Sequence, residues 1–343
     1  MTTVLMYEPA FAHTLENHPE NGQRLDGLLP FLEKHGALAG IEQLEADPAA
    51  LRQVTRVHSL GLVEHVRQIA AQGGGRLDAD TYATGQSYEL ALQAAGSCCT
   101  AVDAILSGNA RNGLALIRPP GHHAQRERAG GFCLFNNVAI AARQAQALHG
   151  VRRILIVDYD VHHGNGTQDI FYDDENVLYV SVHLHHPFFY PGTGSATEIG
   201  RGAGRGTTIN VPFPRRVGDE GYRRAFDEVL VPSARAFRPE VILVSVGFDA
   251  HWLDPLASAA LSLRGYATLS QILLELAGEL CEGRILFVLE GGYLPEALHH
   301  GVLNLAYALT GRDKVVDPLG PLPEREQAVD GLIEHLQSLH MLR

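Results

Sequence analysis

Apolar residues in this chain gather into short, nearly unbroken runs: GLALI (113–117), RILIVDYD (153–160), VLYVSVH (177–183), VILVSVGFDA (241–250) and RILFVLEGGY (284–293). These runs lack the one-in-two alternation of a half-buried strand, so they predict parallel strands covered on both faces. Between them, apolar positions recur at helical spacing over about 20–36, 59–71, 87–107, 136–149, 219–237, 264–280 and 294–309. Asn136 and Gly150 bracket the fourth of these helices with a start and a stop signal. Strands alternating with helices predict an α/β fold: one domain over 1–316, with a mostly parallel central sheet flanked by helices on both faces. A Pro-rich segment, DPLGPLPE (317–324), then leads into a last amphipathic stretch. There Val329, Leu332, Ile333 and Leu336 fall at helical spacing, so 317–343 is expected to pack back on the same domain. The stretch 185–206 is too long and Gly-rich for a plain connection, and loops of that kind usually serve function.

Composition narrows the classes. The 343 residues are 45% hydrophobic and 19% charged, too apolar for a disordered chain. The formal net charge of −12 argues against direct nucleic-acid binding, which needs a positive surface. Cys98, Cys99, Cys133 and Cys281 contain no C-x-x-C pair and form no disulfide framework, so a reducing, cytoplasmic setting is expected. The opening MTTVLMYEPAFAHTL lacks a basic n-region, and no membrane-spanning helix is expected. Histidine is the unusual count, 18 in all, with five between His162 and His186. It is the commonest metal ligand and the usual proton carrier near neutral pH.

Several runs end in residues that carry chemistry. If the strand containing 153–160 stays extended, Asp158, Asp160 and His162 point the same way at the carboxyl edge of the sheet, where open α/β folds bind ligands. A second run ends in Asp249, and a third in a double glycine followed by Tyr293. Carboxylates ending several buried strands are costly unless a cation meets them. Asp160, His162 and Asp249 would give zinc three ligands and leave a position for water, the layout of a catalytic site. Adjacent His122 and His123 follow a Pro-Pro-Gly turn that can aim both rings into one cleft, and Phe132 lies where a Gly-rich loop can line a pocket.

Taken together, the motifs HPENGQRL (18–25), RPPGHHA (118–124), GGFCLFNN (130–137), DYDVHHGNGTQ (158–168), FYPGTG (189–194), GRGTTINVP (204–212), GFDAHWLDP (247–255) and LEGGY (289–293) resemble the zinc-dependent histone deacetylase family of the arginase/deacetylase fold. The GNGTQ wording is similar to the class II type and its bacterial amidohydrolase relatives. The resemblance implies one zinc ion per chain on Asp160, His162 and Asp249, and an oxyanion-stabilising Tyr293. It implies an acid–base pair of His122, matched with Asp158, and His123, matched with Asn165, where the commoner residue is Asp. Phe132, Gly131 and Tyr190 would line an acyl-lysine channel, with Asp80 and Leu256 at its rim. It also implies a structural potassium near Asp158, Asp160, His162 and Ser181, and an internal Arg24 on a product exit path rather than on a surface helix. The implied substrate is an acetylated lysine in a protein or peptide, on a chain able to form homo-oligomers. Three other readings stay open. An acetylpolyamine amidohydrolase shares nearly every catalytic residue, although Leu256 stands where polyamine-specialised class II relatives carry an acidic gatekeeper. A binuclear manganese ureohydrolase needs an Asp where Gly164 stands. A non-catalytic acyl-lysine binder would have lost a ligand or Tyr293, and all are present.

Overall fold

The apolar runs assemble into one eight-stranded sheet in which every pairing is parallel. The computed structural model describes residues 2–342. The first part of the chain gives β1 (Thr2–Glu8), α1 (Leu28–Lys34), β2 (Ile41–Gln43), α2 (Leu51–Val54) and α3 (Leu60–Ala71). A small antiparallel pair follows, β3 (Gly74–Arg76) with β4 (Tyr82–Thr84), then α4 (Ser87–Leu106) and β5 (Ala110–Ile117). The middle is α5 (Asn137–His149), β6 (Ile154–Asp158), α6 (Asn165–Phe171), β7 (Val177–Leu184) and β8 (Thr208–Phe213). The remainder is α7 (Asp219–Ala225), α8 (Val231–Phe237), β9 (Val241–Val246), α9 (Leu263–Cys281), β10 (Ile285–Leu289), α10 (Pro295–Leu309) and α11 (Asp330–Leu339).

The sheet order is β2-β1-β5-β10-β9-β6-β7-β8, so the last two strands slot between β5 and β6. This crossover brings the carboxyl ends of β5, β10, β9 and β6 side by side at the centre of the sheet. Alternation along each strand feeds two cores. Leu155, Val157, Ile285, Phe287 and Leu289 face a cluster built with α1, α9, α10 and α11. Ile154, Ile156, Leu286 and Val288 face the opposite cluster, covered by α2, α3, α4 and α5. Ile333 and Leu336 of α11 are fully buried in the first cluster, and Arg224 of α7 pairs with Asp330 at 2.6 Å.

Three expectations need correction. Helix 20–36 is broken: Asn21 caps a single 3₁₀ turn, Gly22–Arg24, and the Arg24 side chain turns inward to backbone carbonyls instead of lying on a helix face. Helix 219–237 contains a π turn, Phe226–Leu230, just before Pro232; the proline has no N–H and its ring crowds the carbonyl four residues back, and a widened turn relieves both. The strands stop earlier than their apolar runs, β6 at Asp158 and β9 at Val246: past β6 the Asp160 N–H turns to the Asp158 carboxylate, and past β9 the Phe248 N–H bonds the Gly291 carbonyl. Helix α4 is long and apolar enough by length and composition to cross a membrane, but 56% of that span is buried inside the domain, against α5 and β5.

Asn136 ties this frame to the site. Its Oδ1 accepts the Ala139 N–H and caps α5, while its Nδ2 donates to the Ala124 carbonyl and to Thr167 Oγ1 on α6. Asn136→Ala removes the cap, typically ~1 kcal/mol, and leaves a buried hydroxyl and carbonyl short of a donor. We expect a loss of about 2–3 kcal/mol in urea unfolding; a loss under about 0.5 kcal/mol would contradict this account.

Candidate metal centre and active site

Four strand ends deliver the site. Beyond β5, the 121–123 turn is gripped by Glu290, whose Oε2 accepts the Gly121 and His122 N–H groups at 2.6 and 3.2 Å and whose Oε1 accepts the Ser245 hydroxyl at 2.9 Å. This grip stacks the His122 and His123 rings 3.9 Å apart, tilted by 43°. Beyond β6 the path is not extended. Asp158 Oδ1 accepts the Asp160 N–H, and Asp160 Oδ1 accepts the His162 N–H, so side chain–backbone bonds curl the segment. The curl still converges the expected ligands: His162 Nδ1 lies 3.1 Å from Asp160 Oδ1 and 3.2 Å from Asp249 Oδ2.

Asp160, His162 and Asp249 each offer a ligand atom within 4.8 Å of the others. Asp160 Oδ2 accepts the Gly291 N–H at 2.8 Å and Asp249 Oδ1 the Val161 N–H at 3.0 Å. Asp249 Oδ2 is buried without a hydrogen-bond partner; its approach to His162 is not aligned as a bond. A buried carboxylate oxygen left open beside a second carboxylate and an imidazole is the donor set a divalent ion completes. Among the described residues a second cluster, His122, Cys133 and Glu290, has comparable spacing. Its groups are already engaged: both Glu290 oxygens accept hydrogen bonds, from three donors in all, and the Cys133 thiol donates to the Gly131 carbonyl.

The two histidines differ in charge. Burial opposes protonation of His122, but Asp158 at 3.1 Å, then Asp160 and Glu290, push its pKa up to about 10. Burial, His122 and His162 drive the His123 pKa well below the ordinary value. His123 Nδ1 donates to Asn165 Oδ1 at 2.8 Å, so its Nε2 carries a free lone pair. Burial opposes charge on His162 as well, yet the two aspartates raise its pKa to about 10, so a proton and a metal ion compete for the same ring nitrogen. Burial holds the Tyr293 phenol well above its ordinary pKa, and its hydroxyl stays a donor.

The expected walls are present. Phe132 sits edge-on to Tyr293 at 5.9 Å, and Tyr190 edge-on to His123 at 4.9 Å. Gly131 is forced by contact: a Cβ there would stand 2.4 Å from the His123 ring. Phe132 is held at φ +70°, uncommon for an aromatic residue, by its N–H bond to Thr81 Oγ1. Asp80 is exposed and shares a cavity of about 220 Å³ with Phe132, His18 and Leu15. Leu256 is half-buried and joins the site through its N–H to Asp254. Ser181 pairs in register with Asp158, but its hydroxyl is bonded to His183. Arg24 is buried, with its guanidinium 4.9 Å from the Tyr293 ring centre. Gly164 admits no side chain: a Cβ would lie 2.1 Å from Asp158 Oδ2, so the extra carboxylate of a two-metal site has no room.

Sequence reasoning missed four contributors. Glu290 ends an apolar run as Asp158 does, and the same rule would have found it. Asp254 accepts the Tyr293 N–H at 2.7 Å. Phe189 stacks on the His162 ring at 4.8 Å, and Glu20 anchors the charges under the site. Phe189 carries no local signal, and although Arg24 stands four residues from Glu20, the second partner, Arg118, is remote in sequence.

Comparison with known proteins gives one family. The histone deacetylase domain matches residues 18–309. The chain is 39% identical to the chloroplastic histone deacetylase 10 of Oryza sativa subsp. japonica, covering 97% of this chain and 80% of that one. It is 40% identical to the polyamine deacetylase HDAC10 of Homo sapiens, over 98% of this chain and 52% of the relative. The crystal structure of the HDA15 HD domain superposes with a TM-score of 0.90 at 36% identity, over 99% of this chain and 96% of that one.

Beneath the site, Glu20 binds Arg118 and Arg24, all three fully buried. Burial alone would raise its pKa, but Arg118 and the neighbouring charges hold it at about 2, below the ordinary 4.5. A depressed carboxyl stabilises the fold fully above its unfolded value and loses that contribution as pH falls from 4.5 towards 2. Glu20→Gln leaves two buried guanidiniums without their anion and is expected to cost about 3–5 kcal/mol at pH 7. Its stability should also fall less steeply than wild type between pH 4.5 and 2 in urea titrations; equal slopes would remove this role.

Proposed function

Because the chain belongs to the histone deacetylase family, we propose that it hydrolyses the side-chain amide of acetylated lysine in proteins or peptides, with one zinc ion held by Asp160, His162 and Asp249. The observation that carries this reading is the open Asp249 Oδ2 within the ligand triangle, beside a histidine whose Nε2 is free. Zinc so held supplies the Lewis acidity that polarises the acyl carbonyl and makes water a nucleophile near neutral pH. His123 Nε2 receives the proton lost by the attacking water and returns one to the departing lysine nitrogen, general acid–base work of roughly 10²–10⁴-fold. His122 remains a cation against Asp158 and steadies negative charge building nearby. The Tyr293 hydroxyl donates to the developing oxyanion. Phe132, Tyr190 and Gly131 form an apolar slot suited to a lysine methylene chain, and Asp80 and Leu256 stand at its rim. A structural potassium near Asp158, Asp160, His162 and Ser181 belongs to the same reading. Four free, buried thiols support a reducing, cytoplasmic setting.

A second substrate class, acetylated polyamines, is favoured by the human polyamine deacetylase relative and by Asp78 and Asp80 at the mouth, which could meet a distal ammonium. Leu256 supports lysine peptides instead, since it adds no charge to select a cation.

Zinc-loaded protein is expected to hydrolyse acetyl-lysine peptides with kcat/KM at least about 10-fold above acetylputrescine, and to lose activity on chelation. A reversed ratio would transfer the assignment to polyamines; turnover indifferent to chelation would end both readings. Asn165→Asp places a carboxylate beside His123 and favours its imidazolium. The acidic limb of the kcat/KM–pH profile should therefore move to higher pH, and an unmoved limb would remove His123 as the base.

A further inference from the structure

Tyr293 leaves the sheet through Gly291 and Gly292, the latter at φ +115°, a stretch with no side chains to hold its direction. Something else must orient the tyrosine. Arg24 Nε donates to the Gly292 carbonyl at 2.8 Å, and its Nη2 donates to the Glu290 carbonyl at 2.6 Å. Asp254 Oδ2 accepts the Tyr293 N–H at 2.7 Å. The Gly292 carbonyl and the Tyr293 N–H belong to one peptide unit. A cation therefore grips its oxygen and an anion its N–H, each matching the sign of the peptide dipole. Rotation of that plane would set the carbonyl against a carboxylate and the N–H against a guanidinium. The other Asp254 oxygen, Oδ1, accepts the Leu256 N–H at 2.9 Å, and the side chain is only 5% exposed.

We propose that Asp254 is a positioning residue for amide hydrolysis: it fixes the Tyr293 hydroxyl in its oxyanion-binding pose by locking the Gly292–Tyr293 peptide, and couples that pose to the rim segment carrying Leu256. Asp254 touches no reacting atom and acts only through Tyr293. This rests on the deacetylase reading, in which Tyr293 works in the transition state. A carboxylate suits the task because both oxygens must accept. In Asp254→Asn one of the two N–H groups faces an amide NH₂ instead, and one bond is lost.

The test is a double-mutant cycle on the zinc-loaded full chain with an acetyl-lysine peptide, using Asp254→Asn, Tyr293→Phe and the pair. Asp254→Asn should lower kcat by about 10–100-fold with KM within about threefold, since displaced oxyanion contacts are lost mainly in the transition state. In the Tyr293→Phe background, itself about 10²–10³-fold slower, the same change should alter kcat by less than about threefold. Equal losses in both backgrounds would overturn the proposal, assigning Asp254 to general structure or to the metal. Tyr293→Phe with undiminished hydrolysis would overturn the catalytic reading itself, and this inference with it. Thermal melting and zinc content accompany each variant. If Asp254→Asn does not fold, Asp254→Ser, whose hydroxyl accepts one N–H, replaces it in the cycle with the same expected non-additivity.

Discussion

The structure depends on a concentration of buried negative charge at the centre of a parallel sheet. Asp158 ends its strand; Asp160, Asp249, Asp254 and Glu290 lie beyond the ends of the same adjacent strands, and all five are almost wholly buried. Such a group cannot stay ionised unpartnered; burial and neighbouring carboxylates push Asp254 and Glu290 each up to about 7. Protein cations answer part of this charge. His122 serves Asp158 and Asp160, and Arg24 lies close by, already shared with Glu20. The deficit remains at Asp160 and Asp249, where the His162 ring approaches both and His122 reaches only Asp160, at 3.9 Å. The fitness of the centre for a cation is thus a property of the fold's charge balance, beyond the identity of three candidate ligands.

Backbone geometry makes this concentration tolerable. Parallel strands end together, and the loops leaving them present N–H groups to the carboxylates they surround. Gly291 donates to Asp160, Val161 to Asp249, Gly121 and His122 to Glu290, and Tyr293 and Leu256 to Asp254. Each bond joins two different strand ends or folds one loop on itself. The carboxylates that offer chemistry are therefore the same groups that fasten the loops. Stability and function share their contacts here, and a change that relieves charge also unties a loop.

What could be read from the chain follows from which of these contacts are local. The parallel sheet and its two covering layers were legible because Ile154–Val157 and Ile285–Leu289 are apolar on both faces, a pattern only a sandwiched strand requires. The edge strand β8 was missed: TINVPF carries Asn210 and Pro212, which disrupt the apolar run, and Pro212 is tolerated because one flank of β8 has no partner. The site's principal residues were legible because carboxylates and histidines ending buried strands are anomalous wherever they occur. The assumed extended path from Asp158 to His162 gave correct partners by an incorrect route; Asp158 and Asp160 side chains capture nearby N–H groups and bend the chain. Arg24 could be placed only through the family resemblance. No spacing in HPENGQRL indicates that its arginine reaches carbonyls more than 260 residues away.

The same division separates chemistry from selectivity. Residues that would move protons or hold an ion are buried and cross-bonded from several strands, so their positions are over-determined. Those at the mouth are held by few contacts: Asp80 is exposed on a turn made by Asp78, and Tyr190 remains 40% exposed. A fold of this kind can change its substrate by altering exposed turns while the charge balance beneath stays fixed. That is physically consistent with similarity to relatives named for histone and for polyamine deacetylation at nearly equal identity. Overall identity does not separate the two substrates, since the two relatives match at 39% and 40%. The discriminating contacts are the few at the rim, and Asp254 is the group through which a rim change reaches the centre: one oxygen holds Leu256 and the other holds Tyr293.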